Sequence, residues 1–235
     1  MARTRLGPLR RRRRWRRIAV AALLLLVAVV VAVELFVALQ SVPPPLTLPP
    51  GTAVPPAGPL AGDWQIAAGS RAGFRIPETV LLASNEVVGR TTQLTATAQL
   101  TSTQLSHIVV RVDLRAITIS GKHQPAFDTS LDTARYPTGI FALAQPIALS
   151  PSFTDGSTAR LTATGQLTFH GTTQSGSVVL TARRSGNTID IAGSTSVLLA
   201  RWHVAPPAGL GPLGSLADHA TAEFLIVLHH TNTRG

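Results

Sequence analysis

The chain has 235 residues, with 21 Lys and Arg against 11 Asp and Glu, a formal net charge of +10. Nine of the basic residues (Arg3, Arg5, Arg10 to Arg14, Arg16 and Arg17) fall in the first 17 positions. Residues 18–235 therefore hold 12 basic and 11 acidic groups, which argues against a basic nucleic-acid-binding domain. The absence of cysteine excludes a disulfide scaffold, a thiolate metal site, a cysteine nucleophile and a lipid-modified N-terminal cysteine.

Residues 1–17 read as a basic cytoplasmic tail and residues 18–39 as a transmembrane helix. Ile18 to Val33 carries no polar side chain, and after Glu34 the apolar run continues through Leu39. At ~1.5 Å per residue this stretch spans roughly 33 Å, against a bilayer core of about 30 Å. Glu34 lies near the end of the run, within reach of the headgroups. Arginines precede the run and no Lys or Arg follows until Arg71, so the positive-inside rule predicts a cytoplasmic N-terminus and a translocated C-terminal bulk. A cleaved signal peptide is the competing reading. The apolar stretch exceeds the usual length for one, and no small-x-small site follows it.

Residues 40–61 contain eight prolines and no charge. Fixed φ angles and missing amide donors predict an extended linker, a spacer able to hold the next domain up to about 65 Å from the membrane. From residue 62 to 230 the period changes to two. Leu94–Leu100, Ile108–Leu114, Leu161–Phe169, Ser177–Ala182, Thr188–Val197 and Ala222–Leu228 alternate or run apolar between turn residues such as Asp155-Gly156 and Ser185-Gly186-Asn187. Residues 231–235 form a short tail. The pattern predicts an all-β, antiparallel domain, with a barrel or sandwich removing exposed edges. Thr118 to Pro137 breaks it, and reads as a long connection with a short helix near Phe127 to Ala134. Small residues on the inward rows, such as Ala96, Ala98, Ala163 and Gly165, suggest space for a slender ligand; interdigitated packing is the alternative.

No nucleophile elbow, zinc-protease motif or phosphate loop is present. His229-His230 point to opposite faces of a strand and are a poor chelating pair. His123 with Asp128 and Asp132 is the one grouping that could serve a metal or acid–base chemistry, without a recognisable ligand spacing. His170, before Gly171, reads as a turn residue.

The residues from Trp64 to His230 resemble the YceI-like family of lipocalin-like, polyisoprenoid-binding proteins. The resemblance rests on Trp64-Gln65-Ile66, Ser70 and Phe74, on Leu131 to Pro137 followed by Phe141, and on Asp218 before the last strand. Its most specific part is Gly165-Gln166-Leu167-Thr168-Phe169-His170-Gly171-Thr172-Thr173. It implies an antiparallel eight-stranded lipocalin-like barrel, preceded here by one transmembrane α-helix and the Pro-rich linker, with an apolar lumen for an isoprenoid chain. It carries no catalytic residue and no cofactor across. Lys122-His123 stand where the family tends to have Arg-Asp, and Ser130-Leu131 where it has an aromatic pair.

The expected function is a membrane-anchored extracytoplasmic protein that sequesters or carries an apolar lipid or isoprenoid, with no catalytic, metal or nucleic-acid site. Phe74, Leu94, Val110, Val112, Phe141, Leu167, Phe169, Val178, Leu180, Ile189, Ile191, Phe224 and Ile226 are the expected lining residues. The rivals are a filled barrel that contacts a membrane partner through its outer surface or the long connection, where Lys122, His123 and Asp132 lie, and a metal-assisted enzyme built on His123, Asp128 and Asp132. Protein partners are not predicted.

Overall fold

The arginine run does not lie outside the first helix. In a computed structural model describing residues 9–38, 42–50, 54–81, 83–207 and 214–231, helix α1 spans Leu9–Ala38 without a break. Arginine is a good helix former, and no glycine or proline stands between Pro8 and Pro43, so the apolar helix extends backwards through the basic run. Ile18–Leu35 is long and apolar enough to cross a membrane, and its large side chains are exposed (Leu25 67 %).

Thirteen strands are described: β1 (Gly62–Ile66), β2 (Arg71–Val80), β3 (Ala83–Thr91), β4 (Leu94–Leu100), β5 (Gln104–Asp113), β6 (Thr118–Ile119), β7 (Thr138–Leu143), β8 (Ile147–Ala148), β9 (Ala159–Phe169), β10 (Thr172–Ser185), β11 (Thr188–Leu198), β12 (Gly214–Leu216) and β13 (His219–His230). All their pairings are antiparallel. β13 pairs with β2 through its first half (Thr221↔Arg75) and with β1 through its last (Leu228↔Ile66). β3 pairs with β2 while β4 pairs with β1. The β1–β2 and β3–β4 segments thus act as two bent strands, which with β5, β7, β9, β10, β11 and β13 close an eight-stranded barrel. Ser70 holds the first bend: its Oγ donates to the carbonyls of Ala67 (2.9 Å) and Val227 and accepts from the Val227 N–H (2.9 Å).

Helix α2 (Pro125–Leu131) occupies the long connection, slightly earlier than its sequence suggests. Pro125 stands in the first turn, where a missing N–H costs nothing, and Asp132 ends the helix in the left-handed conformation (φ 45°). A single turn, α3 (Pro151–Thr154), presses Phe153 into the barrel, 1 % exposed.

The core divides along the barrel. One cluster includes Leu60, Trp64, Phe153, Ile189 and Leu228; the other includes Ile76, Val87, Phe127, Trp202 and Val204. Trp64 is 1 % exposed, donates its Nε1–H to the Leu60 carbonyl (3.0 Å) and meets His230 edge-on at 5.1 Å.

Where it is described, over residues 42–50 and 54–61, the proline-rich segment forms neither helix nor strand, as its residues require, but it does not run free. It lies on the barrel as a strap. The carbonyls of Pro43 and Pro44 accept from Arg75 and Arg90, and the Leu46 N–H donates to Glu223 Oε2 (3.1 Å). Further on, Pro49 accepts from Arg183 (2.9 Å), Val54 pairs with Ser185 and Gly186, and Arg184 donates to the carbonyls of Ala57 and Gly58. Proline lacks a donor but keeps its carbonyl, so a Pro-rich strand docks where the receiving surface supplies the donors. Arginines supply most of them here.

Beneath the strap, Glu223 is 3 % exposed although it projects from the outer face of β13. Its carboxylate takes Arg75 Nε at 2.9 Å and Arg90 Nη2 at 2.8 Å, while Arg75 also pairs with Glu86. Burial pushes the Glu223 carboxyl up, but the hydrogen bonds from Arg90, Arg75 and the Leu46 amide outweigh it and hold the group below the usual carboxylate range. Arg75, against its own desolvation, is raised by Glu223 and Glu86. Arg184 is lowered by desolvation.

Candidate functional site

The inward rows enclose a cavity of about 500 Å³ that runs through both core clusters. Its volume falls within the ordinary range for small-molecule sites, roughly 300–1,000 Å³. Alternation places the lining: Val110 and Val112 on β5, Leu161, Ala163, Gly165 and Leu167 on β9, Val178, Leu180 and Ala182 on β10, and Ala222, Phe224 and Ile226 on β13 all face inward. Of the thirteen expected lining residues, Phe74, Val110, Val112, Phe141, Leu167, Phe169, Val178, Leu180, Ile189, Ile191, Phe224 and Ile226 line this cavity. Leu94 does not; it is partly buried against the Trp64 cluster.

The small inward residues have two different roles. A Cβ on Gly165 would lie 2.6 Å from the Phe141 ring, on Gly193 2.7 Å from Phe224, and on Gly89 2.5 Å from Phe74. These glycines are seats for phenylalanine rings, not empty space. Interdigitated packing is therefore correct at those points, and the void lies between them, beside Ala163, Ala182, Ala220 and Ala222.

The Gly165–Thr173 segment builds one end of the lumen. His170 (φ 48°) and Gly171 (φ 70°) form the two-residue turn between β9 and β10, both left-handed as a type I′ hairpin demands. His170 Nδ1 lies 2.9 Å from the Trp202 carbonyl, and Tyr136 stacks edge-on to His170 at 5.0 Å. The histidine pins the short helical turn Leu199–Trp202 across the barrel end, a structural task. Sequence reasoning missed Trp202. It is 6 % exposed, lines the cavity, and its buried indole N–H has no partner among the described residues. Its isolated position between strands left no periodic signal.

His123 and Asp128 meet at 2.5 Å, and Asp128 also accepts from Thr133 Oγ1. Asp132 caps α2. Among the described residues no three His, Asp or Glu side chains converge on a metal site.

A family model for the YceI-like domain matches residues 64–227. The chain belongs to the YceI-like family. No curated protein sequence matches it. Among solved structures, the YceI-like chain is similar to a polyisoprenoid binding domain from Saccharophagus degradans implicated in plant cell wall breakdown. That likeness has a TM-score of 0.57 at 14 % identity, over 73 % of this chain and 99 % of the other. BcnA of Burkholderia cenocepacia is also similar, with a TM-score of 0.50 at 17 % identity over 69 % and 98 % of the two chains. At these identities the likeness speaks for the fold, and the YceI-like lumen has to be read from its own residues.

Proposed function

We propose that this YceI-like protein is a membrane-anchored, extracytoplasmic, non-enzymatic binding protein that sequesters or carries an isoprenoid-type apolar chain in its barrel. The observation that carries this reading is the continuous apolar cavity of about 500 Å³ spanning both core clusters. Family membership and the polyisoprenoid binding domain among the similar structures support it. A chain burying about 300 Å² of apolar surface gains roughly 7 kcal/mol, from which the cost of ordering the ligand is subtracted. The arginine-rich start of α1 supports a cytoplasmic N-terminus, with the barrel across the membrane. The first described barrel partner of the strap is at Pro43, five residues past the end of α1, which supports a barrel held near the bilayer surface.

Native mass spectrometry of the full chain released from nanodiscs tests this. A co-purifying apolar lipid is expected, and Ala163→Phe, which fills the lumen beside Val178, should remove it while the barrel still folds. A wild-type barrel that is consistently empty, and that takes up no added prenyl chain, would sink the reading.

A further inference from the structure

The barrel wall is not paired all the way round. β10 and β11 are hydrogen-bonded neighbours only from Val179↔Ser194 to Ser185↔Thr188. Beyond that point residues 172–178 stay paired with β9 and residues 195–198 with β13, but not with each other. In a closed barrel this is a lateral slit. Gln174, Ser175, Gly176 and Ser177 on one lip and Thr195 and Ser196 on the other belong to the cavity lining, although both Ser177 and Ser196 are exposed. The lumen therefore reaches the outside through this gap.

Independent observations agree with traffic through it. Buried aromatic rings fill each core cluster along the barrel, Trp64 and Phe153 in one and Phe127 and Trp202 in the other. Among the described residues outside α1 and the strap, the exposed large apolar side chains are Val179 and Leu198, each 44 %, and both flank the slit. The lips themselves are small and polar, so the backbone groups released from the ladder remain accessible to water. The cavity that these lips line is also lined by Trp202, whose buried N–H is unpartnered, and by Arg201, which forms no ion pair among the described residues; the Arg201 carbonyl accepts from Gln174 Nε2 across the gap (3.3 Å).

We propose that the slit between β10 and β11 is the portal for the apolar chain, and that an acceptor oxygen at the chain's polar end is held there by Trp202 Nε1 and Arg201. This rests on the lipid-binding reading above. The chain passes sideways into the lumen while its polar end stays at the lips.

The absence of cysteine makes a direct test possible. Continuing the Val179↔Ser194 register sets Ser177 opposite Ser196, so the double variant Ser177→Cys/Ser196→Cys can be bridged with a short bis-maleimide. The full chain in phosphatidylcholine nanodiscs is given geranylgeraniol esterified with anthranilate, and uptake is followed by fluorescence. Bridging should slow uptake by at least about tenfold, as closing a gate does. Bridging Thr95→Cys/Arg111→Cys, across the closed β4–β5 pair, should leave the rate unchanged. An unchanged rate after bridging the slit, with the probe still bound, would overturn the portal and spare the lipid reading. No binding by the unbridged wild type would overturn both. If the double variant does not fold, Ser196→Cys capped after folding with a polyethylene-glycol maleimide gives the same two outcomes. Trp202→Phe keeps a ring and deletes the donor, and should weaken the probe about fivefold. Unchanged affinity would overturn the polar contact.

Discussion

Two sectors of the same barrel wall are built on opposite terms. Over β2, β3 and β13 the outer surface is charged, buried and strapped: Glu223, Arg75 and Arg90 exclude water beneath a proline-rich segment. Along residues 172–178 and 195–198 the wall is uncharged and largely exposed, and the two strands, each paired on its other side, are not paired with each other. Ion pairs are thus concentrated under the proline-rich segment, while the β10–β11 ladder stops where the cavity lining reaches exposed residues. Wall strength here follows what lies against the wall, the proline-rich strap on one side and the mouth of the cavity on the other.

The largest effect should come from Glu223→Ala. It leaves Arg75 and Arg90 beneath the strap without the carboxylate they share, and stranding a buried ion-pair partner costs about 3–5 kcal/mol. Urea denaturation of the full chain in detergent measures the loss. Hydrogen exchange at the Leu46 amide, which donates to Glu223, should rise in parallel. A variant as stable as wild type with Leu46 still protected would show that the strap does not depend on this cluster.

The same carboxylate sets an acid limit. Its folded pKa lies below the unfolded value, so its contribution is fully present above about pH 4.3 and is lost as pH falls from there through the depressed folded value. Leu46 exchange measured from pH 6 downwards should stay flat relative to an unstructured peptide and then rise below about pH 4.3. The slit carries no carboxylate, so its accessibility should not follow that curve.

These two sectors were unequally legible. The inward rows of β5, β9 and β13 could be read because Ile108, Val110 and Val112, or Phe224, Ile226 and Leu228, repeat at the period of a half-buried strand. β2 and β3 were obscured: Gly73, Pro77 and Gly89 interrupt their alternation, and the glycines are there because a Cβ would strike a neighbouring carbonyl or ring. The strap looked like a spacer because its docking uses carbonyl oxygens, which every sequence has, and arginines far along the chain. The slit is a non-local loss of pairing. Its local trace is the run of small polar residues Thr172 to Ser177 opposite Ser194 to Ser196.

The next effect in size, Gly165→Ala, probes the closed side of β9. The added Cβ would lie 2.5 Å from the Ala142 carbonyl and 2.6 Å from the Phe141 ring, so either the β7–β9 pair or the ring must shift. Overpacking of this kind costs about 1–3 kcal/mol. A shift in denaturation midpoint, together with changed Phe141 resonances, would register it.

The smallest effect should have the opposite sign, and it comes from the residue directly across the ladder. Gly176 pairs with Gly165, so the two Cα–Cβ directions share the lumen face, yet a Cβ at Gly176 meets nothing within 4 Å. Its φ is not in the left-handed region, so alanine fits the backbone as it stands and removes freedom mainly from the unfolded chain. Gly176→Ala should therefore stabilise the barrel by about 0.4–1 kcal/mol, where the same change one strand away destabilises it. Paired denaturation curves for the two variants read the difference between a wall that is packed and a wall that is open. If Gly176→Ala costs as much as Gly165→Ala, the lip at Gly176 is packed in solution and the slit is shut.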